Sequence, residues 1–132
     1  MPNPIYSAMR MKKTTPDPML DSVERMKAFA DPVRLRLLNL LLDGGEVCVC
    51  HLHEALNLPQ PTISRHLAYL RKRGVVSGRK EGLWVHYRLA RSQAGLNRIL
   101  LGCLGTCLGD PEVFRRDRER LERAISSCGG EG

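Results

Sequence analysis

Between Gln60 and Leu89 the hydrophobic period of the chain switches from that of a helix to that of a strand. Ile63, Leu67 and Leu70 recur at i, i+4 and i+7, the inward seam of one helix. Leu83, Val85, Tyr87 and Leu89 then alternate strictly, the pattern of a half-buried strand. Val75-Val76 reads as a preceding strand, and Lys80-Glu81-Gly82 as the link that folds the two into a hairpin. The helix begins around Gln60-Pro61 and stops at Gly74. It leaves Gln60, Thr62, Ser64, Arg65, His66 and Tyr69 facing outward or at its edges.

Upstream, Leu20, Val23, Met26 and Ala30 form a helical stripe beside Phe29. Asp31-Pro32 supplies an N-cap and a proline at the first helical position of a second helix. That helix carries Leu35, Leu37, Leu38, Leu40 and Leu41, apolar on most sides and therefore buried, and Gly44-Gly45 ends it. A third, short helix is expected near Val49–Leu56, closed by Asn57-Leu58-Pro59. A fifth is expected around 93–108. Asp110-Pro111 opens a last helical stretch, in which RRDRERLER (115–123) alternates signs as a solvated surface does. The expected organisation is an N-terminal arm over 1–17, rich in proline, a single domain over 18–108 and a helical tail over 109–132. The fold class is mainly α with a small β-hairpin.

Charge is distributed unevenly. From Gln60 to Arg91 eight Lys or Arg face a single acid, Glu81, and this excess of +7 equals the net charge of the whole chain. A solvated surface mixes its signs, so concentrating the imbalance in one segment points to a polyanion. A short helix pair joined by a tight turn, the second helix polar at its start, suits the major groove of double-stranded DNA. Gln60 is suited to an adenine edge, Arg65 to a guanine or phosphate, and Thr62, Ser64 and His66 to nearby base edges or phosphates. Arg71 and Lys72 lie two turns on and suit the backbone, which positions without specifying. Arg79 and Lys80 on the hairpin suit the flanking backbone or minor groove.

EVCVCHL (46–52), PQPTISRHLAYLRKRGVV (59–76) and RKEGLWVHYRL (79–89) occur in that order, and together they resemble the ArsR family of winged-helix metalloregulatory repressors, in particular its arsenic-resistance members. The likeness covers about residues 18–100. It implies a winged helix-turn-helix, a homodimer assembled through its first and last helices, a two-fold operator, and release from DNA when a metal or metalloid binds.

The candidate inducer ligands are Cys48 and Cys50, since thiolate is the natural ligand of soft, thiophilic ions such as As(III). On a regular helix two residues two apart point about 200° from each other. One ion then holds both only where the first turn is unwound or not yet helical. Ligation is accordingly expected to distort the leading helix of the DNA-reading pair. Arsenic-resistance members carry a third cysteine after two further residues, where this chain has His53. Three thiolates for inorganic arsenite would then need Cys103, Cys107 or Cys128, whereas a singly methylated arsenical needs only two. Cys103 and Cys107, at i and i+4, share a helix face and are either a site of their own or small apolar residues. Cys48, Cys50, His51 and His53 are alternatively two sulfurs and two imidazoles for Zn2+ or Cd2+. Oxidation of Cys48 and Cys50, in a redox sensor, is a further alternative.

The composition narrows the remaining classes. A 42% hydrophobic content fits a folded chain of 132 residues. Residues 1–13 hold no apolar block of signal-peptide length, and no window approaches a membrane span, so a cytoplasmic protein without a membrane partner is expected. Five cysteines suit reduced thiols better than a disulfide framework. Cys and His lie close together without an orienting acid, so catalysis is not expected.

Overall fold

The computed structural model of the chain describes residues 17–129, with the side chain of Cys128 outside that description; the arm expected over 1–17 lies outside it too, apart from Asp17. Helix α1 spans Pro18–Phe29, and the Asp17 carboxylate caps it by accepting from the Met19 and Leu20 amides at 2.8 and 3.2 Å. Helix α2 spans Pro32–Leu41 and is capped in the same way, Asp31 accepting from the Arg34 amide at 3.0 Å. Strand β1, Val47–Cys48, leads directly into helix α3, Val49–Leu56. Helix α3 ends on Asn57 in the left-handed region, φ 56°, a conformation asparagine tolerates better than most residues.

Helix α4 spans Gln60–Lys72 and is followed by Gly74 at φ +75°. Strands β2, Val76–Glu81, and β3, Trp84–Leu89, pair antiparallel with Glu81 opposite Trp84. Gly82 at φ +61° and Leu83 therefore make a two-residue hairpin turn. Helix α5, Gly95–Thr106, and helix α6, Glu112–Gly129, complete the described residues. No helix among the described residues is long and apolar enough to cross a membrane.

The sheet has three strands in the order β1-β3-β2, one more than the expected hairpin. The extra strand pairs Val47 with Tyr87 and Cys48 with His86. A run of two residues carries no alternation from which a strand could be read. Its consequence is to tie the start of α3 to the wing.

The inward seam of α4 is as the spacing predicts. Ile63, Leu67 and Leu70 are fully buried against a cluster that includes Leu37, Leu38 and Leu41 of α2 and Leu52 and Leu56 of α3. Burying each such leucine contributes about 1.5–3 kcal/mol, which holds the α3–α4 pair as one unit. The solvated reading of RRDRERLER is corrected at Asp117. Helix α6 packs along α3 and against α2, and Asp117 is fully buried. Its carboxylate accepts from Arg36 Nε and Nη2, both at 2.8 Å, while the same Nη2 donates to the Leu56 carbonyl at 3.1 Å. Periodicity places an acid in a charge run, but only tertiary packing puts it under the neighbouring helices.

Candidate functional site

Cys48 stands just outside α3 as its N-cap, with extended backbone (φ −68°, ψ 142°) fixed by pairing to His86. Cys50 lies in the first turn, and its amide donates to Cys48 Sγ at 3.4 Å. The two sulfurs are 2.8 Å apart. The 200° separation holds only where both residues are helical, and at Cys48 the chain is not yet helical, the condition under which one ion can hold both. Two thiolates about 2.3 Å from one ion sit at most about 4.6 Å apart, so a common ion needs no unwinding of α3. Cys48 is buried and Cys50 half-buried.

Cys103 and Cys107 also come together, at the end of α5. Hydrogen bonds from the Thr106 hydroxyl, 3.5 Å away, and from the Cys103 thiol lower the Cys107 pKa; donation to Cys107 raises that of Cys103. Cys103 is half-buried and Cys107 exposed, so the pair is not core filling. His51 and His53 lie on α3 but do not join the thiols. Among the described residues no three His, Cys, Asp or Glu side chains converge on one point. Cys128, the remaining candidate thiol, has its side chain outside the described residues.

Beside the Cys48–Cys50 pair is a half-open cleft of about 230 Å3. Gln60 and Ser64 of α4 form one wall, and Leu83, Trp84, Val85 and Tyr87 of the wing form the other. The Tyr87 ring lies on Gly78, where an added Cβ would meet it at 3.0 Å. At the wing tip Trp84 is 57% exposed and Leu83 93%. Their position directly after the Gly82 turn is the signal that could have placed them at a tip.

The outer face of α4 holds Gln60, Ser64, Arg65, Arg71 and Lys72, all exposed, with Thr62 half-buried; Lys80 is exposed on β2. Two expected DNA-facing side chains are occupied within the protein. His66 turns inward, its Nδ1 3.3 Å from Arg34 Nη1 and 3.8 Å from Asp31. Burial, followed by the charges of Arg34 and Arg65, lowers its pKa against the opposing pull of Asp31. The fold thus favours the neutral imidazole. Stability is therefore complete above the ordinary value of about 6.5 and falls as pH drops through it toward the lower folded value. Denaturant titration between pH 7 and 5 should show this decline, reduced in His66→Gln.

Arg79 is the second. It donates to Glu46 through Nε and Nη2, the shortest contact being 2.6 Å, and to Glu81 through Nη1 at 2.9 Å. Those bonds hold the Glu46 carboxyl below the usual carboxylate range. Arg79 thus fastens the wing to the residue before β1 with its charge already matched. Glu46, immediately before the cysteine segment, is opposite in sign to the hairpin, but nothing local in the sequence pairs the two.

Residues 31–77, which contain α2, both cysteines and the α3–α4 pair, match the model of the bacterial regulatory protein arsR family. An uncharacterized HTH-type transcriptional regulator, MJ1325, of Methanocaldococcus jannaschii is 52% identical over 66 residues, 50% of this chain and 74% of that protein. The chain belongs to the ArsR family. This ArsR-family chain is also 52% identical to the arsenical resistance operon repressor of Escherichia coli K12 over 68 residues, covering 52% of this chain and 58% of that protein. Its fold matches the homodimeric winged helix-turn-helix DNA-binding domain of Mb0332 from Mycobacterium bovis, a possible ArsR-family regulator, with TM-score 0.58 and 29% identity over 74% of this chain and 91% of that one. ArsR proteins are bacterial regulatory proteins, and the matched residues 31–77 contain the α3–α4 pair.

Proposed function

We propose that this chain is a metalloid-responsive transcriptional repressor, one that binds a two-fold operator as a homodimer and releases it when trivalent arsenic, as arsenite or methylarsenite, binds Cys48 and Cys50. The observation that carries the reading is the 2.8 Å separation of those sulfurs at the start of the helix that leads the DNA-reading pair. Arsenite exchanges two hydroxyls for two thiols; two As–S bonds form, two As–O bonds break, and two waters leave with the thiol protons. No oxidant is needed. The similarity to an arsenical resistance operon repressor supports the same ligand.

Dimerisation is supported by an uncovered apolar stripe. Met19, Val23 and Met26 fall at i, i+4 and i+7 on α1, are 40–52% exposed, and lie on a helix packed against α5, which exposes Ile99. A two-fold dimer would present one α4 to each of two successive major grooves. The cytoplasm, which keeps thiols reduced, is where such a protein would work.

On this reading Arg65, exposed on the outer face of α4, reads a base edge, and Arg65→Ala should weaken operator binding by about 1–3 kcal/mol. Lys72→Ala should instead weaken operator and random DNA alike and flatten the salt dependence of binding. Anisotropy titrations at several salt concentrations distinguish the two; equal losses on all sequences would refute the division of roles.

The function is tested by titrating the reduced protein on two-fold operator DNA with arsenite, Zn2+ and Cd2+. Release by arsenite is expected. Release by zinc or cadmium alone would favour a Cys48, Cys50, His51 and His53 site, which the scattered imidazoles do not support. Sulfurs this close also favour a second reading, a thiol redox switch. Peroxide releasing the DNA while arsenite does not would select it.

A further inference from the structure

We propose that the ligand of the Cys48–Cys50 pair is a trivalent arsenical bearing one carbon substituent, and that this substituent fills the cleft between α4 and the wing. The inference rests on reading the pair as an arsenic site. Cys48 and Cys50 line the cleft, and Leu83, Trp84, Val85 and Tyr87 give one side of it an apolar and aromatic wall. Such a wall offers little to the hydroxyls of inorganic arsenite, whereas it desolvates a methyl or phenyl group. The volume is sufficient, because an apolar cavity of about 150 Å3 accommodates benzene and this cleft measures about 230 Å3.

The chemistry is complete with the two sulfurs. An arsonous acid, R–As(OH)2, exchanges both hydroxyls for Cys48 and Cys50 sulfur; two waters leave and the As–C bond and the oxidation state are unchanged. The carbon group then projects from the arsenic into the cleft. Its far wall is Gln60 and Ser64, at the start of the helix that reads DNA. An occupant therefore lies against the side chains that begin that helix, so that filling the cleft and presenting Gln60 and Ser64 to the operator compete. The exposed Leu83 and Trp84 at the wing tip gain a partner in the loaded state.

Operator release measured under reductant with arsenite, methylarsonous acid and phenylarsonous acid tests the assignment. One methylene in an apolar pocket is worth roughly 10–200-fold, so phenylarsonous acid should act at a concentration at least about tenfold below that of arsenite. Trp84→Ala should bring the ratio of the two half-releasing concentrations toward one, and Trp84→Phe should largely keep it. The ratio cancels any common change in operator affinity. Arsenite matching or exceeding both organic compounds would overturn the carbon-group assignment while leaving the arsenic reading intact. A preference for the organic compounds that survives both Trp84→Ala and Val85→Ala would overturn the placement in the cleft. Release by none of the three would overturn the arsenic reading itself.

Discussion

Exchanging Cys48 and Cys50 for serine should abolish the release of operator DNA by arsenite while leaving the reduced protein's affinity for that DNA nearly unchanged. Serine keeps an acceptor at the N-cap of α3, where it is among the best residues, so the helix start survives the change. The pairing of β1 with β3 is made by backbone and is also kept. What is lost is the soft sulfur pair. With both cysteines present, arsenite should lower operator affinity on the order of 5–150-fold, a coupling of 1–3 kcal/mol, and the same factor should appear as weakened arsenic binding when DNA is bound. Anisotropy titrations of both proteins, with and without arsenite, measure both directions of that cycle. A double variant that still responds would move the sensor elsewhere, with the Cys103–Cys107 pair the first place to look.

Asp117→Ala should be the most destabilising single exchange of a charged residue. It leaves the Arg36 guanidinium, paired through two 2.8 Å hydrogen bonds to a fully buried carboxylate, without its counter-charge. Breaking a buried pair in this way costs about 3–5 kcal/mol. The same guanidinium holds the Leu56 carbonyl at the end of α3, so the loss should also loosen the turn into α4. Chemical denaturation should record the drop in midpoint, and Asp117→Asn should lose less because the amide oxygen can still accept. A drop under about 1 kcal/mol would mean that the pair is dispensable to the packing of α6.

The parts of this account that were legible in the residues are those governed by local rules. Asp31-Pro32 announces a helix start because a carboxylate cap and a fixed φ are useful only there. Asn57 and Gly74 stop α3 and α4 because they accept positive φ. Ile63, Leu67 and Leu70 give the buried face of α4 through their period alone. The site was legible in its chemistry but not in its geometry. The residues leave open whether the turn at Cys48 is helical, and the two-residue β1, visible only through its partner β3, holds Cys48 outside the helix and brings the sulfurs together. His66, Arg79 and Asp117 look like surface charges in one dimension. Their partners Arg34, Glu46 and Arg36 lie 32, 33 and 81 positions away, beyond the reach of any local pattern.

The sulfurs of Cys48 and Cys50 are the proposed holders of arsenic, and X-ray absorption at the arsenic edge tests this most directly. Arsenite-loaded protein should show arsenic bonded to sulfur. That sulfur shell should vanish in Cys48→Ser/Cys50→Ser and persist in Cys103→Ser/Cys107→Ser. Persistence in the first variant, or loss in the second, would contradict it.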